Sequence, residues 1–263
     1  MAATDSFAAL RVPAYRRFMV GMSGVFLSTQ IQSTVLGLQV YEITRASEGV
    51  VAAAWQVGLI GLAEAVPFLA LTLFGGWASD RWDRRMLSVV GLAGLLVGAL
   101  VLVALNRTDV TVVWPFLAVQ ALGGAARALF RPASVALATE LVPKELYGNA
   151  ATWRTNLFQV ATVTGPAVGT LLYAAVGPMW TYAVMTVGFA LGLLALVSLP
   201  ALPARVPQPG SILQSLGEGV RFVFTEKVVL AALSLDLFAV LFGGAVAMIP
   251  AFALDVLHAG PES

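Results

Sequence analysis

The 263-residue chain has no cysteine and a single histidine, His258. The first absence excludes a disulfide framework, a thiolate nucleophile and a cysteine-based metal site. The second excludes a multi-histidine metal centre. There is no H-E-x-x-H, no P-loop pattern G-x-x-x-x-G-K-[ST] and no Ser/His pair at a helix end. Hydrolytic, redox and direct nucleotide-driven chemistry therefore have no visible site, and neither an enzyme, a cofactor nor a metal is expected. Charge is scarce as well. Only 11% of residues are charged, and 15 basic against 14 acidic residues leave a net charge of +1. A soluble domain is nearer a quarter charged. The basic residues sit in short clusters beside apolar runs, which gives nucleic-acid binding no support. No cleavable signal peptide is evident, because the first apolar run is long enough to span and lacks a small-residue cleavage site.

What fills the chain is hydrocarbon. Hydrophobic residues make up 59% of it, and mean hydropathy is +0.87. They fall in runs of roughly 17 to 25 residues, the length that crosses a hydrocarbon core as a helix. Seven spans are expected, at 18–41, 52–77, 86–105, 110–127, 155–174, 180–200 and 228–254. The predicted fold is an all-α polytopic protein in a lipid bilayer, multi-pass in the cell membrane.

Lys and Arg set its orientation. With the N-terminus inside, thirteen fall on the inner side, Arg127, Arg131 and Arg154 among them. Only Arg45 and Arg107 fall outside. The N-terminus is therefore placed in the cytoplasm. Residues 1–200 read as one six-helix bundle and 201–227 as a cytoplasmic linker. Residues 228–263 read as the first helix of a truncated second bundle. In the linker, Pro200, Pro203, Pro207 and Pro209 predict an extended start. Ser211 to Gln214 then fits a capping box, and Ile212, Leu213, Leu216, Val220 and Val223 follow at helical spacing. That pattern suits an amphipathic helix on the inner membrane face or a plain linker helix.

A charged residue at mid-span costs about 2.5–3.5 kcal/mol on insertion scales, so each one needs a reason. Two acids lie well inside predicted spans. Glu64 is about 18 Å along its helix from Gly76, and Asp236 about 14 Å from Lys227. Each is either a proton carrier or an acid that only packs. Polar residues share single helix faces: Ser23, Gln30, Thr34 and Gly37 in the first span, and Thr155, Gln159, Thr162 and Gly169 in the fifth, with Asn156 beside them. Gln120 is the polar side chain of the fourth. Gln30, Thr34, Gln120, Asn156, Gln159 and Thr162 are the candidate cavity lining, a helix–helix seam being the other reading. Gly94 and Gly98 form a GxxxG pair whose expected role is packing.

The densest charge cluster, Gly76-Trp77-Ala78-Ser79-Asp80-Arg81-Trp82-Asp83-Arg84-Arg85, joins the second and third spans. Its pattern resembles the signature loop of the major facilitator superfamily, G-x-x-x-D-R-x-G-R-R/K. Gly76, Asp80, Arg81, Arg84 and Arg85 match, and Asp83 stands where the family usually has glycine. Ala126 to Ala133, Glu140 to Leu146, Gly219 to Val223 and Ile249 to Phe252 look like the siderophore-exporter and multidrug-efflux branch of that superfamily. Gly165, Pro166 and Gly169 resemble the core of the family's antiporter motif, with Ala161 in place of an upstream glycine. The family's membrane arginine in the fourth span is not found between Arg107 and Arg127, although the small-residue run Gly123–Ala126 is present.

The resemblance implies a secondary transporter that works by rocker-switch alternating access between two six-helix halves. Its expected job is proton-coupled export of a siderophore, drug or similar small molecule. Asp80 would be the centre of a gating latch, with Arg81, Arg84 and Arg85 supporting it; a purely topological anchor is the alternative. The expected partners are the bilayer, a small-molecule substrate, protons and a C-terminal six-helix half absent from these residues. From the residues themselves, a non-transporting assembly or sensor protein built from a transporter half stays open.

Overall fold

A computed structural model describes residues 5–108, 110, 112–200, 221, 224–231 and 234–235. Most of the expected linker helix, Asp236 and nearly all of the seventh span lie outside the described residues. The chain divides into two compact units, 1–208 and 209–263, and the first holds every element named below.

Five helices account for nearly all of the first unit: α1 (Pro13–Glu48), α2 (Val50–Arg81), α3 (Arg84–Leu105), α4 (Trp114–Glu140) and α5 (Tyr147–Val197). No strand occurs among the described residues. α5 is two helical arms, 147–176 and 178–197, separated by Gly177 at φ 78. A single residue, Gly49 at φ 89, separates α1 from α2. Glycine is suited to both points because a Cβ in the left-handed region costs roughly 1–2 kcal/mol. α1 and α4 open with proline in the first turn, where its missing N–H leaves no bond unmade.

Length and composition make three elements able to cross a membrane: α2, α3 and the run Lys144–Val197. All three leave large apolar side chains uncovered. On α2, Leu62, Val66, Leu69 and Leu73 form one exposed stripe at helical spacing. The buried core instead joins α1, α3, α4 and α5 through Phe18, Met22, Leu92, Leu95, Phe116, Tyr182 and Phe189.

Two neighbours seat by backbone approach. A Cβ on Gly21 or Gly192 would overlap the side chain facing it across α1 and the second arm of α5. Gly24 meets the carbonyl of Gly188 at 3.0 Å from where its Cβ would stand. Small residues are what let membrane helices approach this closely. On α3, a Cβ at Gly94 would stand 3.0 Å from the side chain of Ala126 on α4, whereas one at Gly98 would make ordinary contact with Val119 at 3.4 Å.

The two ends of the bundle are tied differently. At the end carrying Pro13, Arg81 and Val197, arginines satisfy the carbonyls that finish α5. Arg85 Nε donates to Leu196 O at 3.1 Å and Arg85 also donates to Val197 O, while Arg17 reaches Ser198 O at 3.5 Å. The residues before α1 dock there too, Trp153 Nε1 donating to Ser6 O at 2.7 Å, and in the first turn of α1 Tyr15 Oη donates to Ala150 O at 2.7 Å. At the far end a neutral chain runs from the Tyr182 hydroxyl to Gln39 Oε1 (2.8 Å) and from the Gln39 amide to Asn106.

The largest departure from the sequence-based expectation is the fourth helix. The span expected at 110–127 runs from Trp114 to Glu140, so most of the predicted loop 128–154 is helix. By hydropathy the apolar run stops at Arg127 only because an arginine counts as a terminus. Here Arg127 has a partner inside the bundle and the helix continues to Glu140, about three and a half turns further. Arg127, Arg131 and Arg154 all stand well inside helices, about two turns or more from either end, which removes them from the inner-loop count. The other ten basic residues assigned inside still outnumber the two outside.

Candidate functional site

The site begins with Glu64, near the middle of α2. Three residues on, Pro67 supplies no N–H, so the carbonyl of Ala63 loses its helical bond. α4 comes unusually close at this level. A Cβ on Gly124 would overlap the carbonyl oxygen of Glu64, so glycine is required for the contact. One turn further along α4, Arg127 meets the Glu64 carboxylate in a direct ion pair. Gln120, one turn earlier, donates from Nε2 to Glu64 Oε2 at 2.6 Å. Arg127 Nη2 donates to Gln32 Oε1 on α1 at 3.3 Å. Three helices thus meet at one carboxylate–guanidinium pair.

The pair is only partly satisfied. Arg127 Nε and Gln120 Oε1 are buried without a hydrogen-bond partner. The arginine side chain is 8% exposed and the glutamate 32%. The open side of Glu64 faces two cavities. One, of about 270 Å³, is also lined by Gln30, Arg127, Arg131, Arg154 and Phe158. The other, of about 200 Å³, lies against Gly61, Phe68 and the same pair of α4 arginines. The Glu64–Arg127 bridge lines both.

The charge cluster between α2 and α3 has a different geometry. Arg84 Nη1 meets Glu140 Oε1 at 2.9 Å and Arg84 Nη2 lies 3.8 Å from Asp80 Oδ1. Arg84 also donates to Ser79 O at 3.1 Å and Ala136 O at 3.4 Å. Arg81 lies over the Trp77 ring at 4.7 Å, and Asp80 stays mostly exposed. Asp83 has φ −59, a value that asks for no glycine, and its carboxylate accepts from Met86 N at 2.8 Å. The departure from the family pattern therefore supplies an N-cap for α3.

The Major Facilitator Superfamily model matches residues 18–262. The chain belongs to that superfamily. Among its curated relatives, the multidrug efflux pump Tap of Mycobacterium tuberculosis is 30% identical over 198 residues, covering 70% of this chain and 46% of that protein. The enterobactin exporter EntS of Escherichia coli is 31% identical over 229 residues, covering 82% of this chain and 50% of that protein. The chain spans about half the length of the curated relatives it matches. Family and apolar helices together make it a multi-pass protein of the cell membrane.

Within this superfamily fold, the expected site residues are placed as follows. Glu64 and Gln120 touch each other, and Gln30 lines the larger cavity. Thr34 donates to Gln30 O at 3.1 Å, and Thr162 to Phe158 O at 2.9 Å. Asn156 and Gln159 are exposed on the first arm of α5 and line neither cavity. Gly165 and Gly169 pack on α1, where their Cβ positions would meet Gln30, Ile31 and Val35; Pro166 lies between them. Gly76 has open space where its Cβ would be.

The sequence reading ended the fourth span at Arg127, which instead stands inside α4, downstream of the small-residue run Gly123–Ala126. Arg131 and Arg154 were likewise missed, as loop residues. One signal could have found the two on α4: Ala126-Arg127-Ala128 and Phe130-Arg131 continue a run of helix formers up to Glu140, with Pro132 alone breaking it.

Proposed function

We propose that the chain is the N-terminal six-helix half, with the start of a second half, of a secondary active exporter. The two arms of α5 would be the fifth and sixth spans. The end carrying Arg81 and Arg84 would face the cytoplasm, as the Lys/Arg bias requires. Substrates would be small molecules of the kind named for the relatives, siderophores or drugs, carried by alternating access between two halves.

The observation that carries the reading is the Glu64–Arg127 pair, at mid-helix beside two cavities. An acid at that depth needs a function or a partner, and this one has a partner while still opening on a cavity. Protonation of Glu64 would remove the charge that holds Arg127 and Gln120. The bridge between α2 and α4 would loosen, and the neutral state would differ mechanically from the charged one. That is what coupling to a proton gradient needs. Asp236 is the second candidate carrier. At the cytoplasmic end, Gly76, Asp80, Arg81, Arg84 and Arg85 would form the latch that closes against the other half.

The test uses the full-length protein in proteoliposomes. Glu64→Gln should abolish transport driven by a pH gradient while leaving substrate binding measurable. Proton-driven transport at the wild-type rate would remove Glu64 from the mechanism.

A further inference from the structure

Three guanidinium groups and one carboxylate line the larger cavity. Glu64 is already engaged by Arg127, so the wall carries two positive charges in excess. Arg131 and Arg154 make no ion pair among the described residues. Arg154 lies over the Phe26 ring at 5.6 Å and Arg131 over Phe68 at 5.6 Å. Arg127 and Arg154 each leave a buried Nε with no partner. Guanidiniums that share one cavity of low dielectric repel one another, and a donor left unpaired there is costly. The cavity asks for an anion.

The arginines are also graded in depth. At the helical rise, Arg154 lies about 10 Å from the start of α5, Arg131 about 14 Å from the end of α4, and Arg127 about 20 Å from it. They lead from the basic end of the bundle to its middle. Beside them, Phe26 and Phe158 stand edge to face at 5.6 Å and line the same space. Together they give the cavity an aromatic wall on which a planar ring can pack, and guanidiniums stack on rings as well as pairing with anions.

We propose that this cavity selects an anionic aromatic small molecule, such as an aryl carboxylate, and rejects cations. Arg131 and Arg154 take the negative group, and the phenylalanines take the ring. The proposal rests on the export reading for its direction of use, but binding can be measured apart from transport.

The experiment uses the purified full-length protein and two matched fluorescent coumarins. One carries a carboxylate, and the other a quaternary ammonium in its place. Fluorescence anisotropy should show the carboxylate probe binding at least about tenfold tighter. The pair Arg131→Gln and Arg154→Gln should remove that preference, and Arg131→Lys with Arg154→Lys should keep most of it. Equal binding, preference for the ammonium probe, no binding of either, or an unchanged preference in the glutamine pair would overturn the proposal. The wild-type ratio decides even if a variant fails to fold. In proteoliposomes, a carboxylate probe that binds but does not move would leave the anion site standing and overturn the export reading. Movement of the ammonium probe alone would do the reverse.

Discussion

Two arginine–carboxylate pairs hold α4, and they are built for opposite purposes. Arg84 reaches α4 from the start of α3 and is fully occupied, by Glu140, Asp80 and two backbone carbonyls. Arg127 reaches Glu64 from mid-helix and is left with a bare Nε beside a cavity. The first pair sits at helix ends, Arg84 opening α3 and Glu140 closing α4, so its charges are inexpensive and its geometry can be saturated. The second sits where an ion is costly, so each unsatisfied atom is a demand for a proton or a ligand. One arginine is a fastening, and the other is a site.

Breaking the deep pair should have the largest effect. Arg127→Leu leaves Glu64 with Gln120 but without its countercharge, and should destabilise the protein by about 3–5 kcal/mol. The readout is the thermal unfolding midpoint of the full protein in detergent. Glu64→Gln combined with Arg127→Leu should recover much of that loss, because no unpaired charge remains. A double variant no more stable than the single one would show that the arginine acts by packing instead.

Arg84→Gln tests the shallow pair. It should cost about 1.5–3 kcal/mol through lost charged hydrogen bonds. It should also change accessibility at the α2–α3 loop, read by labelling single cysteines introduced into the cysteine-free background of these residues. A labelling pattern identical to the parent would reduce the pair to a static brace. Gly124→Leu should wedge α4 away from Glu64 and cost about 1–3 kcal/mol by overpacking. Full stability with a retained Glu64–Arg127 contact would mean the helices do not need that close approach.

The smallest expected effect separates cap from turn. Asp83→Ala should cost about 1 kcal/mol by losing the N-cap of α3, and Asp83→Gly only a few tenths. Equal losses would assign the residue's role to the turn and not to its carboxylate.

Much of this was legible in the residues because bilayers punish ambiguity. Apolar runs of spanning length and the charge cluster at 76–85 are local signals with local causes. Glu64 was also visible, since a lone acid in an apolar run has few innocent explanations. The misreading of α4 has an equally physical cause. Arg127 is costly in a span only if it is alone, and hydropathy cannot know that Glu64 waits on another helix 63 residues away. The same blindness turned Arg131 and Arg154 into loop residues and hid the basic cavity they line. Asn156 and Gln159 failed as lining for the described cavities because a shared helix face says which residues go together, not what they face.

By itself the sequence determined that this is a helical membrane protein, which end of each helix is basic, and which loop carries the family's charges. Those properties follow from transfer free energy and from short-range geometry, and both are additive along the chain. Only the tertiary structure decided which charge neutralises which, where a cavity opens, and which buried donors stay unpaired. Those depend on distances between helices far apart in sequence, and a pair's energy exists only once both partners have left water together.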